Sequence, residues 1–126
     1  MASSRQTILI VEDDRDLRRL YRTALAIAGY IVREASNGLD ALRYIDADPP
    51  DLVILDLGLP MFSGIVVRQE IAAQAVTRDI PILVVTASEE PISDVACVLR
   101  KPASPDRLVA EVRRCLTAGR AASVLD

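Results

Sequence analysis

Five side chains in this sequence stand where strands should end, and their chemistry is complementary. Leu52 to Leu55 is an apolar run suited to a strand buried on both faces, and it ends on the carboxylate of Asp56. Gly58, Pro60, Ser63 and Gly64 follow as turn formers. Thr7 to Val11 is a second run, ending on Glu12, Asp13 and Asp14. Ile80 to Val85 ends on Thr86, and Ala96 to Leu99 ends near Lys101 and Pro102. Gathered carboxylates raise one another's pKa unless a cation sits among them. Mg2+ suits such a set, because it takes oxygen ligands and keeps several waters. A carboxylate on a rigid strand can also act as a nucleophile and form an aspartyl phosphate. Thr86 can then donate its hydroxyl to one phosphoryl oxygen while Lys101 pairs with another. Lys101 is the one lysine among fifteen basic residues, and a slim ammonium reaches a phosphate as a point charge. A single lysine can also fall there by chance, and an isolated Asp more often caps a turn. The chemistry therefore depends on the elements that carry these residues.

Helical spacing of Leu17, Leu20, Tyr21, Ala24, Leu25 and Ala28 predicts a helix from Asp14, stopped at Gly29. Tyr30 to Ala35 reads as a strand and Ser36-Asn37-Gly38 as a turn. Leu39, Leu42 and Ile45 predict a helix closed by Pro49-Pro50, and Val67, Ile71 and Ala75 another. Ser104 as N-cap, Pro105 at the first helical position, then Leu108, Val112, Cys115 and Leu116 mark the last helix. Strand and helix alternate, so the class is α/β with a parallel sheet and right-handed crossovers. Five strands and about five helices fit a flavodoxin-like, doubly wound sheet in the order 2-1-3-4-5. Its switch point, between strands 1 and 3, brings Glu12, Asp13 and Asp56 into one crevice. Thr86 and Lys101 close it from the far side of Asp56.

The size of the chain, 126 residues, suits one domain with a single core. The expected division is an arm over 1–6, the domain over 7–117 and a flexible tail over 118–126. Half the residues are apolar and 26% are charged, which argues against disorder. A net charge of −3 with interspersed signs leaves no electrostatic footprint for direct nucleic-acid contact. No apolar run approaches the ~18 residues of a membrane span, and residues 1–7 lack the apolar core of a secretory signal. The expected location is the cytoplasm. With no His and only Cys97 and Cys115, zinc sites of the Cys/His kind and a histidine base are excluded. Both cysteines are expected to fill apolar space rather than react.

Five segments together resemble the receiver (CheY-like) domain of two-component response regulators. They are I-L-I-V-E-D-D at 8–14, A-S-N-G-L-D-A-L at 35–42, D-L-V-I-L-D-L-G-L-P-M-F-S-G at 51–64, V-V-T-A at 84–87 and K-P at 101–102. The resemblance implies that Asp56 accepts a phosphoryl group from a sensor histidine kinase or a phosphotransfer protein. It implies that Mg2+ (or Mn2+) is held by Glu12, Asp13, Asp56 and the backbone carbonyl of Gly58. Thr86 and Lys101 would contact the phosphoryl oxygens. Asp14 reads as a helix N-cap, because the family's acidic pair ends one residue earlier. Pro60 and Gly64 match structural loop positions. Such a domain is a switch and not an enzyme beyond its own phosphorylation and dephosphorylation, and its output goes to a protein target.

The chain departs from the family pattern in places. The aromatic residue expected three positions before the lysine is Val98 here. Only fourteen residues separate Thr86 from Lys101, too few for a strand, two loops and a helix of about 11 residues. The fourth helix, between strands 4 and 5, is thus expected to be shortened or missing, with room for a turn over Glu89 to Asp94. Output would then use another surface or another switch. Small residues at Gly58 and Ser88 are expected to leave the phosphoryl group open to water. Two other readings stay in view: a degenerate receiver that binds a partner without phosphorylation, and a Mg2+-dependent phosphohydrolase with Asp56 as nucleophile.

Overall fold

Period-2 alternation within each strand builds a core on both sides of one sheet. The computed structural model describes residues 5–58, 64–73, 79–87 and 97–125. Its strands are β1 (Thr7–Val11), β2 (Ile31–Ala35), β3 (Leu52–Asp56), β4 (Ile82–Thr86) and β5 (Cys97–Arg100). Neighbours pair in parallel in the order β2-β1-β3-β4-β5, as the alternation of elements predicts. The described helices are α1 (Arg15–Ile27), α2 (Gly38–Ala47), α3 (Gly64–Ala73) and α4 (Pro105–Leu125). Ile8, Ile10, Leu52 and Ile54 pack with Tyr21 and Leu25 of α1 and with Leu108 and Val112 of α4. The alternate residues Leu9, Val11, Val53 and Leu55 pack with Ala41 and Ile45 of α2 and with Val67 and Ile71 of α3. β3, in the middle, is buried along its whole length. Burial on both faces is why it lacks polar alternation.

Local signals set most of the boundaries. The Asp14 carboxylate accepts from Leu17 N at 3.0 Å and caps α1, and Ser104 Oγ accepts from Arg107 N at 3.2 Å at the start of α4. Gly29, at φ +104°, takes the left-handed turn that ends α1. Asp51 ties the sheet's entry edge together. Its carboxylate accepts from Thr7 N at 2.7 Å, and its own N–H reaches Thr7 O at 2.8 Å.

Helix α4 continues as backbone through Ala118 to Leu125, in a stretch that holds no proline and only Gly119 as a breaker. One expectation is corrected. Cys97 and Cys115 are buried as expected, but they are bonded to each other as a disulfide, Cα to Cα 6.2 Å. The cause is tertiary: α4 packs over β5, and both cysteines point into the same apolar cluster. The segment where the fourth helix was expected to be short or missing, with Ser88, lies outside the described residues.

Candidate functional site

Strand register decides which carboxylates meet. β1 and β3 align Val11 with Leu55, so the next residues, Glu12 and Asp56, leave the sheet side by side. Both continue the parity of Ile8, Ile10, Leu52 and Ile54 and emerge on the same side of it. One residue past β5, Lys101 continues the parity of Leu99 and arrives on that side too. Carboxylate oxygens of Glu12, Asp13 and Asp56 lie within 4.8 Å of one another, with Glu12 and Asp56 buried and Asp13 exposed. Lys101 Nζ sits 2.7 Å from Glu12 Oε1 and 3.4 Å from Asp56 Oδ2. The opposite oxygen of Asp56, Oδ1, accepts from Gly58 N at 3.0 Å.

The electrostatics follow from burial. Loss of water raises the Glu12 carboxyl to about 7. The hydrogen bond from Lys101 opposes that rise, and the charge of Asp56 adds to it. Burial by itself would lower the Lys101 ammonium, but its hydrogen bond and charge pairing with Glu12, and then Asp56, carry it upward. The cation demanded by three close carboxylates is thus partly supplied by the chain itself. The set remains oxygen-rich and acidic, and these are donors that fit a hard divalent cation.

Thr86 is buried at the end of β4, one residue beyond Val85, the register partner of Asp56. Its carbonyl accepts from Lys101 N at 2.8 Å, which fixes the backbone that presents the ammonium. Val98 lies half-buried in β5 opposite Val84, so no ring occupies the position where one was sought. Pro60 lies outside the described residues, and Gly64 opens α3. Asp14 serves as the cap, while its N–H donates to Glu12 Oε2 at 3.3 Å.

Several supporting residues escape a reading of the sequence. Arg18 Nη1 donates to the Glu12 carbonyl at 2.8 Å, and its Nε to Glu34 Oε1 at 3.2 Å. Arg22 reaches the other Glu34 oxygen at 3.4 Å. The Tyr21 hydroxyl donates to the Ala103 carbonyl at 3.3 Å, just past Lys101. Nothing in sequence marks Arg18 among fourteen arginines. The cysteine pair did leave a signal, since both residues fall on core-facing positions of successive elements.

A model of the response regulator receiver domain matches residues 8–113. The chain is 35% identical over 123 residues to the probable transcriptional regulator ycf27 of Pyropia yezoensis, covering 92% of this chain and 49% of the relative. To the phosphate regulon transcriptional regulatory protein PhoB of Pseudomonas aeruginosa it is 36% identical over 118 residues, covering 88% and 52%. It thus spans about half the length of the curated relatives it matches. Among solved structures, a putative response regulator from Chloroflexus aurantiacus superposes with a TM-score of 0.83 at 32% identity, over 90% of this chain and 99% of that one. The acidic strand ends, the bridging lysine and these likenesses agree, and the chain belongs to the response regulator receiver domains of two-component signalling.

Proposed function

We propose that this domain is a phosphorylation-dependent switch whose phosphoacceptor is Asp56. The observation that carries the reading is Lys101 Nζ, set between Glu12 Oε1 at 2.7 Å and Asp56 Oδ2 at 3.4 Å. Asp56 Oδ2, once Lys101 lets it go, attacks the phosphorus of a phosphohistidine. The P–N bond breaks, and the imidazole leaves with its electron pair. Gly58 N–H holds the other oxygen and orients the carboxylate. Lys101 moves from carboxylate to phosphoryl oxygen over a short path, and the Thr86 hydroxyl donates to another. Glu12, Asp13, Asp56 and the Gly58 carbonyl would hold Mg2+ or Mn2+, which supplies positive charge to the phosphoryl oxygens when bound. The adduct adds about two negative charges at the sheet's rim, enough to bias a two-state element through Thr86 and Lys101.

The phosphoryl donor is a sensor histidine kinase or a phosphotransfer protein, on the cytoplasmic side, and the output is a protein contact. PhoB and ycf27 are named as transcriptional regulators and are about twice as long. In this reading any contact with DNA would belong to chain outside the aligned half. Intact mass after incubation with acetyl phosphate and Mg2+, beside Asp56→Asn, tests it. The expected result is one phosphoryl adduct that needs both Mg2+ and Asp56. No adduct, together with no binding of beryllofluoride, would refute it and favour a degenerate receiver.

A further inference from the structure

Both cysteines of the chain are spent on one bond, and that bond closes a loop around the site's lysine. Cys97 opens β5 and Cys115 lies in α4, eighteen residues on. Between them run Arg100, Lys101, Pro102, Ala103 and Ser104. This segment is held at three further points. Lys101 N–H reaches the Thr86 carbonyl, Tyr21 reaches the Ala103 carbonyl, and Lys101 Nζ reaches Glu12 and Asp56. Closing such a loop restricts its open states more than its folded one. β5 is an edge strand, so the bond lies at the margin of the sheet. Both sulfurs are buried, so exchange waits on local opening at this edge; Arg114, half-exposed and steadied by Glu111, brings Nη2 to 3.8 Å from Cys97 Sγ. A guanidinium there stabilises Cys97 as a thiolate leaving group. In a reducing compartment, disulfides that do form are usually transient, catalytic or redox-sensing.

We propose that Cys97–Cys115 is a redox-responsive cross-link that sets how firmly the Lys101 segment is held, so that small thiols tune the receiver site. The regulatory part rests on the phosphoacceptor reading above. The exchange is balanced. A thiol RSH attacks Cys115 Sγ, breaking the S–S bond and expelling the Cys97 thiolate, which takes up the proton released. A second RSH attacks the outer sulfur of the mixed disulfide and releases the Cys115 thiol with RSSR. The protein gains two electrons and two protons, and the two thiols lose them. Reoxidation by RSSR reverses both steps. The reduced state frees β5 and α4 to separate locally while the packing of β1, β3 and α1 stays.

The test compares the air-oxidised protein with the same protein reduced by dithiothreitol. Three readouts are iodoacetamide labelling, amide hydrogen exchange at residues 98–104, and beryllofluoride affinity with Mg2+. Labelling should appear at both cysteines only after reduction. Exchange at the Lys101 amide should speed up by roughly tenfold or more, with β1 and β3 unchanged. Beryllofluoride affinity should shift by several-fold. Cys115→Ala should match the reduced protein in exchange and affinity and ignore the reductant. Labelling without reductant would overturn the cross-link, and unchanged exchange would overturn its hold on Lys101. Altered exchange with unaltered affinity would overturn the regulation. If neither redox state binds beryllofluoride, the phosphoacceptor reading and the regulation built on it both fail, and the exchange data alone decide whether the cross-link holds the segment.

Discussion

Lys101 Nζ donates to Glu12 Oε1 at 2.7 Å across 89 residues of sequence and lies 3.4 Å from Asp56 Oδ2, so one ammonium serves two buried carboxylates. That sharing ties the acid strength of Glu12 to Lys101 and Asp56.

Lys101→Met removes the side-chain cation that both acids contact. The loss of a hydrogen bond to a charged group, worth ~1.5–3 kcal/mol, predicts phosphorylation by acetyl phosphate slowed roughly 10- to 100-fold. Single-turnover phosphorylation read by mass would check it, and a rate within twofold of wild type would contradict the assigned role.

Glu12 makes stability fall as pH rises in the metal-free protein. Its carboxyl stands at about 7 when folded, against 4.5 as the ordinary value. Between these limits the folded state binds more protons than the unfolded one, so the slope of stability with pH is negative there. Stability linked to Glu12 is complete below about 4.5 and lost through about 7. Urea denaturation in EDTA at several pH values should show this decline, and Glu12→Gln should flatten it. A rise across the window in wild type relative to the variant would reverse the sign.

Arg18 acts on the site through the backbone of Glu12. With its guanidinium bridging the Glu12 carbonyl and Glu34, Arg18→Met should weaken Mg2+ binding about tenfold, the lower range for groups that orient ligands. Arg18→Lys should not restore it, because one ammonium lacks the fork that makes both contacts. Calorimetric titration with Mg2+ or Mn2+ measures this directly.

Asp14 caps α1, and the expectation is that it takes no part in metal binding. Asp14→Ala should cost about 1 kcal/mol of stability, and Asp14→Asn much less. The added stability conferred by Mg2+ should be equal in wild type and both variants. A smaller metal increment in Asp14→Asn would make it part of the metal site.

Gly58 leaves open the approach to Asp56. A Cβ there would stand 3.6 Å from Asp56 Oδ1, in ordinary contact. Gly58→Arg should therefore lengthen the life of the phosphoryl group by covering it from water. Decay of the adduct followed by mass would show an unchanged lifetime if that cover does not matter.

Much of this fold is written in short-range pattern. Strand parity, the caps at Asp14 and Ser104, the stop at Gly29 and the polar ends of apolar runs are each properties of one element and its neighbours. Parallel order and the gathering of Glu12, Asp13 and Asp56 follow from alternation and handedness. What the tertiary structure alone decided depends on side chains reaching between elements far apart in sequence. The ammonium shared by Glu12 and Asp56, the brace from Glu34 through Arg18, and the Tyr21 bond to Ala103 are all of this kind. So is the bond between Cys97 and Cys115, which composition reads as two apolar fillers. Periodicity tells which face a residue takes. Only register and helix packing, which place one element over another, tell what it meets there.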